Sequence, residues 1–153
     1  RNVPNFDEEN LVKRAFDQFE VRSFRTAAEL REALDVRDPK TVRIGLVTSH
    51  DFHLLMRPRK HGELDVPVLH SEVITGLLNI TEEQVREESY ITYVRGMDAA
   101  VAEVREKGAQ LAFVLEPTPI EDMARIAFGG GVMPQKSTDF FPKLLTGVTI
   151  YKL

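Results

Sequence analysis

The chain has 153 residues, a length that suits one domain with a buried core. Its net charge of −4, with 42% hydrophobic and 29% charged residues, argues against nucleic acid or an anionic membrane as a partner, and no apolar run approaches the ~20 residues of a membrane span. The absence of cysteine excludes disulfides, thiol nucleophiles and cysteine metal ligands, and it fits a reducing cytoplasm.

The first part of the chain predicts two helices with a strand between them. Asp7 is expected to cap the first helix, Glu20 to Phe24 is the strand candidate, and Thr26-Ala-Ala-Glu29 is a capping box that opens the second helix. The residues predicted to face inward are Leu11, Val12, Ala15, Phe16 and Phe19 in the first helix and Ala27, Leu30 and Leu34 in the second.

The middle of the chain predicts a β-hairpin followed by two helices. Apolar and polar residues alternate on both sides of Ser49-His50-Asp51, so residues 41 to 57 are predicted to be a hairpin of half-buried strands. Thr81-Glu-Glu-Gln84 is a capping box over a short helix. A longer helix before it is predicted from Val66 to about Leu78, with an apolar stripe of Val66, Leu69, Val73 and Leu77.

The remaining residues predict a strand, a helix and a strand, followed by a further helix and a last strand. Because two strands joined by a helix form a right-handed βαβ crossover, the predicted fold is one α+β domain: a mixed β-sheet with one βαβ crossover and one β-hairpin, and helices packed on the sheet. The predicted elements are a strand at Tyr90 to Arg95, a helix at Asp98 to Lys107 closed by Gly108, a central strand at Leu111 to Leu115, a helix capped by Thr118-Pro-Ile-Glu121 and ended by Gly129, and a strand at about Leu145 to Tyr151.

The terminal segment, Met133 to Leu153, carries the densest set of hydrogen-bond donors. It is not a phosphate-binding P-loop, because Gln135 stands where that motif needs glycine and Pro134 removes an amide. Two interpretations stay open: a site for a small anion, or a turn satisfied by the hydroxyls with the lysines in water. The candidate binding residues are Lys136, Ser137, Thr138 and Lys143.

Three residues outside that segment are further candidates. His70, at the edge of an apolar helix face, is either a core histidine with a backbone partner or a proton donor and acceptor beside the anion. Arg95 is either an ordinary surface arginine or a residue whose guanidinium adds a fork of hydrogen-bond donors to the anion site. Thr118 lies where a helix N-terminus offers free amides, with capping as its first role.

The histidines and the basic cluster predict neither a metal nor a nucleic-acid site. His50 and His53 are three apart, so in a strand they point to opposite faces, and a solvated hairpin end is the favoured interpretation. The basic cluster is interpreted as a solvated loop because it lacks the interleaved aromatics of a nucleic-acid platform; it comprises Arg57, Arg59, Lys60 and His61.

Five segments, in order along the chain, resemble the prokaryotic family catalogued as domain of unknown function 1015. Asp139 departs from the family pattern, which favours an aromatic residue there, so a stacking role at this position is not implied. The segments are Arg1-Asn-Val-Pro-Asn-Phe6, Asp65-Val-Pro-Val-Leu-His70, Tyr90-Ile-Thr-Tyr-Val-Arg95, Ala112-Phe-Val-Leu-Glu-Pro-Thr-Pro119 and Met133-Pro-Gln-Lys-Ser-Thr-Asp-Phe-Phe-Pro-Lys-Leu144.

The resemblance implies a longer protein of which this chain is the carboxyl-terminal half, and the start at Arg1 without methionine fits that expectation. Family members carry an amino-terminal half with a Gly-His-His-Arg segment, similar to the ParB and sulfiredoxin-like fold. Some relatives of that fold phosphorylate serine, and family members are often encoded beside serine-biosynthesis enzymes. The resemblance therefore implies a phosphotransferase or phosphatase with a phosphorylated small molecule or nucleotide as ligand, and the chain's own amino-terminal half as partner.

This chain alone is expected to be inactive and to hold no cofactor, although a nucleotide can be bound by the longer protein. The alternative function is a non-catalytic interaction module whose terminal segment is architectural. In that case Lys136 is expected to form an ion pair with an internal acidic residue, and the side chains expected to pack in the core are Phe140, Phe141 and Leu144.

Overall fold

The computed structural model describes residues 1–36 and 38–133. The chain divides into two compact units, residues 1–116 and residues 117–153. The predicted last strand and all four candidate residues of the terminal segment lie outside the described residues, and the prediction of a single domain stays a prediction. No helix among the described residues is long and apolar enough to cross a membrane.

A four-stranded sheet forms the centre of the first unit. Its spatial order is β1-β3-β2-β4, and all three pairings are antiparallel. The predicted α+β class and the predicted hairpin, which is β2 and β3, are confirmed. The strands are β1 (Glu20–Phe24), β2 (Thr41–Val47), β3 (Phe52–Pro58) and β4 (Ala112–Leu115).

The predicted βαβ crossover and the parallel pairing that it requires are wrong for the described residues. Tyr90 to Arg95 forms no strand, and β4 pairs with β2 in the antiparallel sense. The carbonyl of Tyr90 instead accepts a hydrogen bond from the backbone nitrogen of Arg1 at 2.6 Å. A β-branched and aromatic run becomes a strand only where a partner strand lies beside it. The described strands also place β4 at an edge, with half-buried residues, and not at the centre.

The helices begin where the local capping signals predict, with one exception. The Asp7 carboxylate accepts from the backbone nitrogen of Asn10 at 3.0 Å, and both predicted capping boxes, at Thr26 and Thr81, are formed. The predicted cap at Thr118 is wrong, because the helix there begins after Pro119 without a side-chain cap. The α-helices are α1 (Glu8–Phe16), α2 (Ala27–Asp35), α3 (Asp65–Val68), α4 (Glu82–Arg86), α5 (Met97–Arg105) and, in the second unit, α6 (Ile120–Phe128).

The long helix predicted from Val66 is present, but most of it is π-helical. After the four residues of α3 the chain continues as the nine-residue π-helix Leu69–Leu77, which Leu78 caps. The next residue, Asn79, has a φ of 55° and turns the backbone out of the helix. The wider turn of a π-helix, with its i to i+5 hydrogen bonds, brings residues four and five apart onto one face. That face is buried, and it consists of Leu69, Val73, Ile74 and Leu77.

Helices cover both faces of the sheet, so the prediction of half-buried hairpin strands is wrong for β2 and for most of β3, in which Phe52 to Met56 are all buried. Every residue of β2 from Val42 to Val47 is buried, including Arg43, whose guanidinium donates to the carbonyl of Ala33. On one face α1 and the π-helix bury a cluster that includes Val42, Ile44 and Leu55. On the other face α2 and α5 bury a second cluster that includes Leu30, Leu34, Val47, Leu54 and Val104.

Candidate functional site

The predicted site residues that the structure describes lie in separate elements. His70 is in the π-helix, Arg95 lies just before α5, and Thr118 belongs to the second unit, just before α6. Neither of the two cavities described below has any of these residues in its lining. The other four candidate residues, Lys136, Ser137, Thr138 and Lys143, lie outside the described residues, so the predicted anion site stays a prediction.

His70 is half-buried, and burial lowers the pKa of its imidazole below the ordinary value of 6.5. Its ring makes no hydrogen bond within the described residues, so the backbone partner expected of a core histidine is not seen there. A lowered pKa keeps the ring neutral at physiological pH, and neutral imidazole has one nitrogen free to accept a proton.

The basic cluster is an ion-pair network and not a solvated loop, so that prediction is wrong for its two arginines. The Arg57 guanidinium is 12% exposed and lies 2.8 Å from a Glu63 oxygen and 2.7 Å from a Glu72 oxygen. Its hydrogen bonds lower the pKa of Glu63 to about 2. Arg59 pairs with Asp65 at 2.7 Å, although burial leaves the pKa of this carboxyl raised. The network fastens the loop after β3 to α3 and the π-helix.

A cavity of about 560 Å³ in the first unit, which we call the Arg14 cavity, has an apolar floor and a polar rim. The floor is made by three buried residues, Leu11, Leu77 and Ile80. A volume of roughly 300–1,000 Å³ with a few convergent polar groups is typical of small-molecule sites. The polar side chains in the lining are Asn5, Asp7, Asn10, Arg14, Asn79, Gln84 and Tyr90.

Arg14 is held in place by the end of the π-helix. Its Nη1 donates to the carbonyl of Leu77 at 2.8 Å, and its Nη2 donates to the carbonyl of Gly76 at 2.9 Å. These carbonyls are the unpaired acceptors of a helix terminus, where a cation is favourable. Arg14 is not among the residues predicted from the sequence, because its partners lie more than sixty residues away in the chain and no local pattern marks the contact.

The wall of the Arg14 cavity near the start of the chain is pinned by one side-chain amide. The Gln110 carboxamide accepts from the backbone nitrogen of Val3 at 2.7 Å and donates to the carbonyl of Val3 at 3.2 Å. Asn5, two residues on, has a φ of 52°, a left-handed conformation that asparagine tolerates. The two hydrogen bonds therefore hold the backbone of Val3 in place beside the cavity.

A second cavity of about 700 Å³, the His53 cavity, lies at the hairpin turn and is lined in part by His50, His53 and the exposed ring of Phe16. His53 is buried in β3, so the prediction that both histidines are solvated holds for His50 alone. The imidazole Nδ1 of His53 lies 2.9 Å from the Ser23 hydroxyl, and burial lowers the pKa of the ring. Among residues 1–36 and 38–133, no group of three or more histidine and acidic side chains is placed to hold a metal ion.

A carboxylate supports the turn beside the His53 cavity. Glu8 accepts from the hydroxyl of Ser49 at 2.6 Å and from its backbone nitrogen at 3.3 Å. Arg105 donates to the carbonyls of Ser49 and His50 from the other side. These bonds already use the polar atoms of Ser49 and the carbonyl of His50. The His53 cavity therefore has fewer donors left to bind a ligand than the Arg14 cavity.

Comparisons with known proteins give no relative. No family model matches the chain, and neither the curated proteins nor the solved structures contain a significant match. The resemblance to domain of unknown function 1015 therefore stays a prediction.

Proposed function

We propose that this chain forms one wall of a binding site for a small phosphorylated ligand, a phosphoamino acid or a nucleotide, and that its own amino-terminal half supplies the other wall. The observation that carries the proposal is the donor-rich segment between Pro134 and Lys143 in the sequence. Two lysines and two hydroxyls close together match the charge and the acceptor oxygens of a phosphate.

Each residue has a distinct role in this proposal. Lys136 and Lys143 neutralise the phosphate charge, while Ser137 and Thr138 orient it by short hydrogen bonds. Arg95 and Thr118 add donors to the same ligand. His70 moves a proton, and the lowered pKa of its half-buried ring supports a role as the acceptor. The absence of cysteine from the sequence supports a cytoplasmic location for this activity.

A non-catalytic interaction module is the second candidate function. The observation that favours it is apolar exposure in the second unit, where Phe128 and Val132 are each 92% exposed and Ile120 is 67% exposed. An exposed apolar patch often marks a contact with another protein, and these three side chains are close together in the sequence.

Thermal-shift measurements separate the two functions. Phosphoserine, serine, ADP, ATP and inorganic phosphate are added to the longer protein and to this chain. A ligand at a hundredfold excess over its Kd stabilises the native state by about 2.7 kcal/mol. We expect a shift for the longer protein that is lost in Lys136→Ala and kept in Lys60→Ala, a lysine of the loop after β3.

The interaction module predicts the opposite pattern. No ligand then raises the melting temperature, and Lys136→Ala lowers the stability of the unliganded protein because an internal ion pair is lost. A Lys136→Ala protein that binds phosphorylated ligands normally would contradict the proposed site.

A further inference from the structure

We infer that the Arg14 cavity binds a small organic monocarboxylate, with the carboxylate at the Arg14 guanidinium and a partly apolar body on the cavity floor. This inference concerns residues of the first unit alone and does not depend on the proposed phosphate site. It follows from three features of the cavity: a fixed cation without a carboxylate partner, a rim of neutral amides, and a charge balance that disfavours a dianion.

The Arg14 guanidinium is held in place without an ion pair to any described carboxylate. Both of its hydrogen bonds go to carbonyl oxygens, and no carboxylate among the described residues forms an ion pair with it. A guanidinium carries five N–H donors, and the two bonds leave the other donors uncommitted. Because the side chain is already ordered, a bound carboxylate gains a charge-assisted hydrogen bond with little loss of side-chain entropy.

Neutral donors and acceptors surround this cation. Asn5, Asn10 and Asn79 line the cavity with carboxamides that make no side-chain hydrogen bond within the described part of the chain. Gln84 accepts from the backbone nitrogen of Thr81 at 2.9 Å through its oxygen, which leaves its amide nitrogen free to donate. Such groups suit hydroxyl or carbonyl substituents on the body of the ligand.

The charges in the lining favour one negative charge on the ligand and not two. Of the described residues that line the cavity, Arg14 is the single cation and Asp7 is the single carboxylate. Asp7 accepts from the Asn10 backbone nitrogen at 3.0 Å as the cap of α1, and its carboxylate repels a second negative charge on the ligand. Since the described lining carries one positive and one negative charge, a bound monocarboxylate brings the net charge to −1 and a phosphate dianion brings it to −2, so the dianion meets the greater repulsion.

The test is an NMR titration of the whole chain with lactate, glycerate and mandelate. Lactamide and mandelamide are the uncharged controls, and inorganic phosphate is the dianion control. Asparagine and glutamine side-chain amides give separate signals, so Asn5, Asn10, Asn79 and Gln84 report directly on the cavity. We expect at least one of the three carboxylates to shift these signals saturably, with little change from the amides or from phosphate.

Two variants assign the binding to Arg14 and its rim. Arg14→Gln should raise the apparent Kd about tenfold or more, the effect of losing a hydrogen bond to a charged group. Asn10→Ala, which keeps the backbone nitrogen that Asp7 caps, should raise it about threefold. Arg22→Gln, an exposed arginine of β1, is the matched control and should leave the Kd unchanged.

Three results would overturn the inference: no saturable shift with any of the carboxylates, equal shifts with phosphate or with the amides, or binding that survives Arg14→Gln. If Arg14→Gln does not fold, because it also caps the π-helix, Asn10→Ala and Tyr90→Phe decide the question. Unchanged affinity in both of these variants would then exclude the cavity.

Discussion

Arginines that no sequence pattern distinguishes differ in solvent exposure and in their partners once the chain is folded. Arg22 pairs with Glu20 on the surface, where both side chains are about two-thirds exposed. Arg57 is almost enclosed and serves two carboxylates, and Arg43 is buried within β2. Exposed ion pairs contribute little to stability. Removing one member of an enclosed pair destabilises the fold, because it leaves the partner's charge buried without a counter-ion.

The first prediction follows from this difference. Arg57→Met leaves Glu63 and Glu72 without their shared cation, and we expect it to lower the free energy of unfolding by about 2 kcal/mol. Arg22→Met, the same substitution at an exposed pair, should change it by less than about 0.5 kcal/mol. Urea unfolding of both variants checks the prediction, and equal losses would contradict it.

The second prediction concerns the pH dependence of stability. Burial lowers the folded-state pKa of His53 and of His70 below 6.5, so the unfolded chain binds protons more readily than the folded chain. Stability from this source is therefore present above pH 6.5 and is lost as the pH falls from 6.5 through the folded-state pKa values. Urea midpoints measured from neutral pH downwards should fall for the wild-type chain.

His53→Gln tests which ring is responsible. The variant should show a shallower loss of stability on acidification, and the double variant with His70→Gln should be shallower again. A pH profile that neither substitution changes would mean that other groups control it.

At the scale of elements, signals confined to a few residues were reliable. The caps at Asp7, Thr26 and Thr81 are formed because each joins residues three apart, and such bonds need nothing from the rest of the chain. The strand predicted at Tyr90 to Arg95 is absent because a strand needs a partner, which local sequence does not specify.

The third prediction compares the two capping boxes. Thr26→Ala should destabilise the first unit by about 1 kcal/mol, because α2 holds the buried Leu30 and Leu34 against the sheet. Thr81→Ala should cost less, since α4 has no fully buried residue and packs against the core through the partly buried Val85. Urea unfolding followed by circular dichroism measures the free energy of unfolding of both variants. A larger loss for Thr81→Ala would contradict the conclusion that α2 contributes more to the core than α4.

The fourth prediction concerns the whole molecule. Within residues 1–36 and 38–133, every member of the two core clusters and every apolar side chain packed against them lies between Val3 and Leu115. A chain of residues 1–116 should therefore unfold cooperatively, with the near-ultraviolet dichroism of a packed core. A non-cooperative transition would show that residues 117–153 complete the core, as the prediction of a single domain requires.

The sequence by itself determined the α+β class, the hairpin, the helix caps and the bounds of β1, because periodicity and capping act over a few neighbouring residues. Only the tertiary structure decided that β2 is covered on both faces, that Arg57 is enclosed by Glu63 and Glu72, and that Arg14 lines a cavity. These features join residues that are distant along the chain. Their environment depends on which elements pack together, and the local sequence pattern of each element is compatible with more than one partner.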